Sequence, residues 1–182
     1  MSGGAPTLSG TLAASLAGYG DAPSIEFEGR WLTGAEITGY VDAIDAALHS
    51  AGVPDGAPVG VVARNRPPHA AAVVGMLAAG RWVSMIYSFQ SPAAIAGDVT
   101  ALGLAAVIAD REDWTEPVID AARRAGTAGI AVSLRPPAVE PVTGLESTGA
   151  EARTARGDGS SGLWVLTSGT TGPPKRHRIP SE

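Results

Sequence analysis

The sequence contains no cysteine, which excludes a disulfide framework, a thiolate metal site and a cysteine nucleophile. Aromatic residues are scarce at 5%, and lysine is scarcer still: twelve of the thirteen basic residues are arginine, so Lys175 is the only lysine. No apolar run approaches the roughly 20 residues that a membrane-spanning helix needs. The N-terminal residues also lack the basic and apolar segments of a signal peptide, so we expect a cytoplasmic protein without a membrane span.

The composition nevertheless favours a folded domain. The chain has 182 residues, of which 45% are hydrophobic and 17% are charged, and this balance excludes disorder over most of its length. The formal net charge of −5 argues against a general nucleic-acid binder or an anionic-membrane binder. We therefore expect no nucleic-acid partner.

The order of apolar segments predicts an α/β fold. Residues 24–32 alternate between apolar and polar side chains, as in a small hairpin, and the Thr33–Glu36 capping box then opens an amphipathic helix that ends near Gly52. Further along, short continuous apolar runs alternate with helical segments. Continuous runs are typical of strands buried on both faces, so we predict a mostly parallel sheet with helices on both faces. The predicted strands are 59–63, 82–86, 105–109, 129–132 and 163–166.

We divide the chain into four parts on this pattern. Residues 1–23 are an N-terminal extension, and residues 24–134 form the α/β subdomain. Residues 135–161, rich in proline, glycine and polar residues, are predicted to be a flexible surface loop. Residues 162–182 supply a strand and a glycine-rich loop, after which we expect a truncated end without a completed element.

The segment 167–175 has the chemistry of a phosphate-binding loop. Its glycines let the backbone present N–H groups to an anion, its hydroxyl groups can donate hydrogen bonds, and its lysine supplies positive charge. A Walker A loop is excluded because Pro174 precedes the lysine and Arg176 follows it. An ordinary glycine-rich turn is the alternative. The candidate phosphate-binding residues are Thr167, Ser168, Gly169, Thr170, Thr171, Gly172 and Lys175.

Residues 166–175, Leu-Thr-Ser-Gly-Thr-Thr-Gly-Pro-Pro-Lys, resemble the phosphate-binding signature of the adenylate-forming (AMP-binding) superfamily, in particular its acyl-CoA synthetases. Residues 32–36, 59–65 and 75–80 are similar to upstream elements of that superfamily. The resemblance extends over about residues 24–179. It implies that the chain is the first subdomain of such an enzyme's N-terminal domain.

The resemblance also implies a reaction. Members join a carboxylic acid to ATP as an acyl-adenylate and then transfer the acyl group to a thiol of CoA or a carrier protein. The 167–175 loop is implied to hold the β- and γ-phosphates with Mg²⁺ nearby. Most contacts to CoA and Mg²⁺, all catalytic residues and any metal ligands are expected outside this chain, so the fragment should be inactive alone. Arg176 departs from the glycine usual in the family.

Other interpretations stay open. The chain could be a stand-alone, non-catalytic nucleotide-binding or interaction module, or a fragment of a peptide-synthetase adenylation domain or a fatty acyl-AMP ligase. A truncated enzyme should expose an apolar face, through which it could form a homodimer. We assign structural roles to His49 and His69, a solvent-exposed position to His177, and packing roles to Trp82, Tyr87, Phe89 and Trp164.

Overall fold

The computed structural model describes residues 7–136, 138–149, 161–167 and 175–181, and for Lys175 it describes the backbone only. These residues form a seven-stranded sheet between two layers of helices, preceded by a two-stranded hairpin. The predicted α/β class, the mostly parallel sheet and the small hairpin are confirmed. The strands are β1 (Pro23–Phe27), β2 (Arg30–Thr33), β3 (Val59–Ala63), β4 (Trp82–Tyr87), β5 (Ala106–Asp110), β6 (Ala128–Val132), β7 (Val139–Pro141), β8 (Gly162–Thr167) and β9 (Lys175–Pro180). The helices are α1 (Leu8–Gly18), α2 (Gly34–Ser50), α3 (Pro67–Ala78), α4 (Pro92–Leu102) and α5 (Glu116–Ala125).

Local sequence signals set the first elements. The hairpin turns at Glu28 and Gly29, both of which have positive φ angles, as a tight turn between two right-twisted strands requires. The predicted capping box is present at the start of α2. The Glu36 N–H donates to Thr33 Oγ1 at 3.2 Å, and the Thr33 N–H donates to Glu36 Oε2 at 2.8 Å. These two bonds satisfy donors that the first helical turn leaves unpaired.

The sheet has a parallel centre and antiparallel edges. Its strand order is β7-β6-β5-β3-β4-β8-β9, and the five inner strands run in the same direction. Strand β7 pairs antiparallel with β6 at one edge, and β9 pairs antiparallel with β8 at the other. The carboxyl ends of the five inner strands therefore lie along one edge of the sheet.

The core has two halves, one on each face. On the first face, α2 and α3 pack against the odd-numbered side chains of β3, such as Val59 and Val61, and Leu12 of α1 joins them. On the second face, α4 and α5 pack against Val62 of β3 and Ile86 of β4. Every one of these strand residues is fully buried, which explains why the strand sequences are continuously apolar.

Three segments differ from the expectations drawn from sequence. Part of the presumed N-terminal extension forms α1, whose Leu16 is buried. Residues 138–149, expected to belong to a flexible surface loop, form β7 and a turn that buries Val142 and Leu145 in the core. The residues after Lys175 form β9, where no completed element was expected. Each segment packs because a neighbouring element supplies the surface that its own sequence does not reveal.

Candidate functional site

The carboxyl edge of the parallel strands is the natural place for a site. The connection that follows β3 leads to α3 on one face, whereas those following β4 and β5 lead to α4 and α5 on the other. Neighbouring connections that leave on opposite faces open a crevice at the carboxyl ends, and ligands of open α/β sheets bind in such crevices.

The β8–β9 hairpin brings the two ends of the predicted phosphate-binding loop to this edge. Thr167, the last residue of β8, is exposed and is the register partner of Lys175, the first residue of β9. The structure thus places two of the seven candidate residues side by side in the backbone. The other five, Ser168, Gly169, Thr170, Thr171 and Gly172, lie outside the described residues.

Strand β8 diverges from β4 as it approaches this edge. Their register pairs run only from Trp82–Gly162 to Ser84–Trp164. Beyond that point the Tyr87 hydroxyl donates to the Leu166 carbonyl at 2.6 Å. This single bond connects the end of β4 to the residue before Thr167.

The basic residues that follow Lys175 have separate partners. The Arg176 guanidinium lies 2.7 Å from Asp98 of α4, and the Arg178 guanidinium lies 4.3 Å from the centre of the Trp82 ring. His177 is exposed, as expected. Two of the three residues that follow the lysine therefore contact other elements of the fold.

The aromatic residues behave in two ways. Trp82 is buried, and its ring lies 6.1 Å from that of Trp164, consistent with the packing role expected of both. Phe89, in the turn after β4, is 94% exposed, so the expectation that it packs is wrong. That turn lies at the same carboxyl edge as the hairpin.

A cluster of two arginines and three carboxylates occupies the ends of β3 and β5. Arg64 makes a two-point contact with Asp113, with Nε to Oδ2 at 2.8 Å and Nη2 to Oδ1 at 2.6 Å. Arg66 pairs with Asp110 at 2.5 Å, and Glu112 accepts contacts from both arginines at 2.9 Å. The hydrogen bonds to Asp113 raise the pKa of Arg64 above its usual value. With three negative and two positive groups, this cluster joins the strands and does not attract a phosphate.

Sequence reasoning did not identify this cluster. The available signal was that Arg64 directly follows one predicted strand, with Arg66 two residues further along, while Asp110 directly follows another. Nothing in the sequence shows that these two strands are neighbours, because β4 and α4 separate them along the chain.

His69, in the first turn of α3, is the most unusual polar residue near this edge. It is only 2% exposed, and neither ring nitrogen has a hydrogen-bond partner. Burial lowers the pKa of His69 below its ordinary value of 6.5. The ring is therefore neutral at pH 7, and it lines a cleft of about 410 Å³ together with Phe27, Arg64 and Met85. Its burial fits the structural role that the sequence suggested.

The sequence match assigns the chain to a family. The sequence matches the AMP-binding enzyme family over residues 12–176, which is most of the chain. The chain belongs to the AMP-binding enzyme family. The family match begins inside α1 and ends one residue beyond Lys175, so it includes the entire parallel sheet and the predicted loop. A search of the curated proteins found no match to this sequence.

Solved structures of adenylate-forming enzymes share the fold. MatB from Rhodopseudomonas palustris, in its apo form, is 16% identical with a TM-score of 0.67; the match covers 95% of this chain and 34% of MatB. The N-terminal subdomain of NpsA from Klebsiella oxytoca, in complex with anthranilyl-AMSN, is 17% identical with a TM-score of 0.57 and coverages of 94% and 40%. At these identities the likeness establishes the fold alone.

A third structure is closer in sequence over a shorter segment. The nonribosomal peptide synthetase FmoA3, in its AMPPNP-bound form, is 27% identical with a TM-score of 0.52, covering 60% of this chain and 12% of FmoA3. The chain spans about a third of the length of MatB. Within the described residues, no helix has the length and apolar character to cross a membrane. The same residues contain no group of three histidine or acidic side chains placed to hold a metal ion.

Proposed function

We propose that this chain supplies the ATP-phosphate-binding part of an acid–thiol ligase, which activates a carboxylic acid as an acyl-adenylate and passes the acyl group to CoA. The family match carries this proposal, together with the position of the β8–β9 hairpin at the carboxyl edge. The proposed phosphate-binding residues are Thr167, Ser168, Gly169, Thr170, Thr171, Gly172 and Lys175.

The chemistry of the loop suits the pyrophosphate end of ATP. Backbone N–H groups at the glycines and the four hydroxyl groups would donate hydrogen bonds to phosphate oxygens, and the Lys175 ammonium would offset the charge that develops as pyrophosphate leaves. The hairpin register supports this role because Thr167 and Lys175 begin and end the loop as direct neighbours. A charged side chain and a hydroxyl can then act on the same phosphate group.

Mg²⁺ and CoA would bind to different parts of the enzyme. Mg²⁺ would be carried largely by the phosphates themselves, as it is usually bound through substrate phosphates and only one or two carboxylates. The chemistry it supplies is charge neutralisation on the leaving pyrophosphate. The CoA thiol would bind mainly to parts of the enzyme that this chain does not include.

The thiol acceptor has a second candidate. The likeness to the nonribosomal peptide synthetase FmoA3, 27% identical over 60% of this chain, supports the alternative of a peptide-synthetase adenylation domain, which would pass the acyl group to a carrier-protein thiol. Both acceptors require the same adenylation step and the same loop.

Removal of the lysine charge tests the proposal directly. We expect Lys175→Ala to weaken the binding of magnesium pyrophosphate to the 182-residue chain by about tenfold, which corresponds to roughly 1.4 kcal/mol. Isothermal titration calorimetry of the folded chain gives the dissociation constant. The unfolding temperature should change little because the lysine lies in a surface hairpin.

Arg124→Ala is the matched control. It removes one positive charge from the exposed last turn of α5, which packs over the β5–β6 half of the sheet. We expect unchanged pyrophosphate binding in this variant. Equal weakening in both variants would mean that pyrophosphate responds only to net charge, and the proposed role of Lys175 would be wrong.

A further inference from the structure

Arg176, the residue that follows the loop lysine, contacts two other elements. Its Nη2 lies 2.7 Å from Asp98 Oδ1 of α4, and its Nη1 donates to the Met85 carbonyl of β4 at 3.0 Å. The guanidinium therefore connects β9 to a strand that is not its neighbour in the sheet. Strand β8 lies between the two.

Asp98 is held in place for this contact. Its second carboxylate oxygen, Oδ2, accepts a hydrogen bond from Gln90 Nε2 at 3.0 Å, and Gln90 belongs to the turn that joins β4 to α4. The side chains of Arg176 and Asp98 are only 18% and 22% exposed. A charged pair that is shielded from water and fixed by a third group loses less to solvent screening than a surface pair does.

The position of this contact matters because the ordinary strand pairing is incomplete here. The β4–β8 ladder stops at Ser84 and Trp164, three residues before β8 ends. Beyond that point, two side chains connect the strands. The Tyr87 hydroxyl donates to the Leu166 carbonyl, and Arg176 contacts the Met85 carbonyl and Asp98. Leu166 and Arg176 are themselves register partners, and they form the last pair before Thr167 and Lys175.

We propose that Arg176, Asp98 and Tyr87 form a bridge that positions the phosphate-binding loop of this chain, with Arg176 and Tyr87 each fixing one end of it. This inference rests on the proposed function and names residues that act through the loop without touching phosphate. The bridge holds the two strand ends in one arrangement before ATP arrives. Fixing a binding segment in advance improves affinity because less conformational freedom is lost on binding.

The bridge also determines the local charge. Asp98 neutralises Arg176, so the residue next to Lys175 adds no net charge at the loop. Lys175 then carries the positive charge that a phosphate meets. A glycine at position 176 would leave Asp98 without its cation. Beyond the Ser84–Trp164 pair, only the Tyr87 hydroxyl would then connect the end of β4 to the hairpin.

The test uses three variants of the 182-residue chain: Asp98→Asn, Arg176→Gln and the double variant. For each, hydrogen exchange of the peptide spanning residues 166–176 is measured without ligand, and the dissociation constant for magnesium pyrophosphate is measured by calorimetry. We expect each single variant to speed exchange in that peptide and to weaken pyrophosphate binding by about threefold or more. The double variant should be no worse than the poorer single one, because both residues belong to one contact.

Glu140→Gln is the matched control. It breaks an arginine–carboxylate pair, Arg111–Glu140 at 2.7 Å, at the opposite edge of the same sheet. We expect no change in hairpin exchange or pyrophosphate binding. In the bridge variants, exchange in β5 should stay at its original rate, which shows that the sheet itself is intact. Arg176→Lys keeps a cation opposite Asp98 and should restore part of the affinity.

The outcomes separate this inference from the proposed function. Pyrophosphate binding that is lost in Lys175→Ala but unchanged in Asp98→Asn and Arg176→Gln would overturn the bridge and leave the phosphate role intact. An unaltered chain that binds no pyrophosphate would count against the proposed function. Fully additive effects of Asp98→Asn and Arg176→Gln would show that the two residues do not act as one contact, which would also overturn the bridge.

Discussion

His69 shows how a single buried group can make the stability of the chain depend on pH. Its ring is almost completely buried and has no hydrogen-bond partner, so the folded state disfavours the protonated form and the pKa of His69 is lowered. The unfolded chain takes up a proton near the ordinary pKa of 6.5. Below that pH the unfolded state binds more protons than the folded state does. The stability of the fold therefore decreases as the pH falls through about 6.5.

Replacing this residue should flatten that dependence. We measure stability as the free energy of unfolding. Between about pH 7.5 and about pH 5.5, we expect it to decrease less in His69→Leu than in the original chain. Urea unfolding followed by circular dichroism at both pH values gives the two free energies. His49→Gln, which removes an exposed histidine at the end of α2, is the control and should behave as the original chain does. An unchanged pH dependence in His69→Leu would contradict the expectation.

Among the elements, the β8–β9 hairpin depends on a close approach at Gly162. A side-chain carbon at this position would lie 2.9 Å from the Trp82 ring, 2.9 Å from Pro180 Cα and closer still to the Ile179 carbonyl oxygen. Two of these neighbours are backbone atoms, which cannot move aside as a flexible side chain can. Glycine is therefore required where β8 begins to pair with β9.

We expect Gly162→Ala to destabilise the chain by about 2 kcal/mol or more and to separate β9 from β8. Gly97→Ala in α4 is the matched control, since nothing lies within 4 Å of the added carbon. That change should be neutral or should stabilise the chain by up to about 1 kcal/mol, because alanine favours a helix. Thermal unfolding of both variants decides the question, and similar losses in the two would contradict this account of the hairpin.

The elements also differ in how well their sequences revealed them. Strands β3 to β6 and β8 are continuous apolar runs, so the sequence predicted them. Strands β3, β5 and β6 are buried on both faces, whereas β8 is mostly half-buried. Strand β9 is largely basic and exposed, and it forms because β8 offers unpaired backbone groups at its edge. Strand β7 has only three residues and depends on the nearby burial of Val142 and Leu145. Helix α1 has leucines at positions 8, 12 and 16, but Leu8 is exposed and Leu16 alone is buried, so this spacing does not by itself mark a core helix.

The same difference applies to the site. The candidate phosphate-binding loop could be proposed from sequence because its residues are consecutive and its proposed role depends on their chemistry. The Arg176–Asp98 contact joins residues 78 positions apart, and the Arg64–Asp113 contact joins residues 49 positions apart. Contacts of this kind depend on which strands become neighbours, and the order of strands in the sheet cannot be obtained from the periodicity of one sequence.

At the scale of the whole molecule, the chain corresponds to only part of the length of the solved structures that share its fold. It spans 34% of MatB and 40% of the NpsA subdomain to which it was compared. We expect the 182-residue chain by itself not to catalyse ATP-dependent exchange of radiolabelled pyrophosphate, because the adenine and acid contacts should come from other residues. The Lys175→Ala chain is the control for contaminating activity. Exchange by the original chain but not by this variant would contradict the expectation.

The antiparallel pairing of β9 has a mechanical consequence. If the C-terminal end is pulled away from the sheet, the force acts first on the hydrogen bond from the Ser181 N–H to the Ser161 carbonyl. It then acts on the Gly162–Pro180 pair and on each following pair in turn, toward Thr167 and Lys175. The Arg176 contacts lie beside the last of these pairs, so they are reached only after most of the ladder has opened. The hairpin should therefore peel away gradually under tension, and the final resistance should come from the residues nearest the loop.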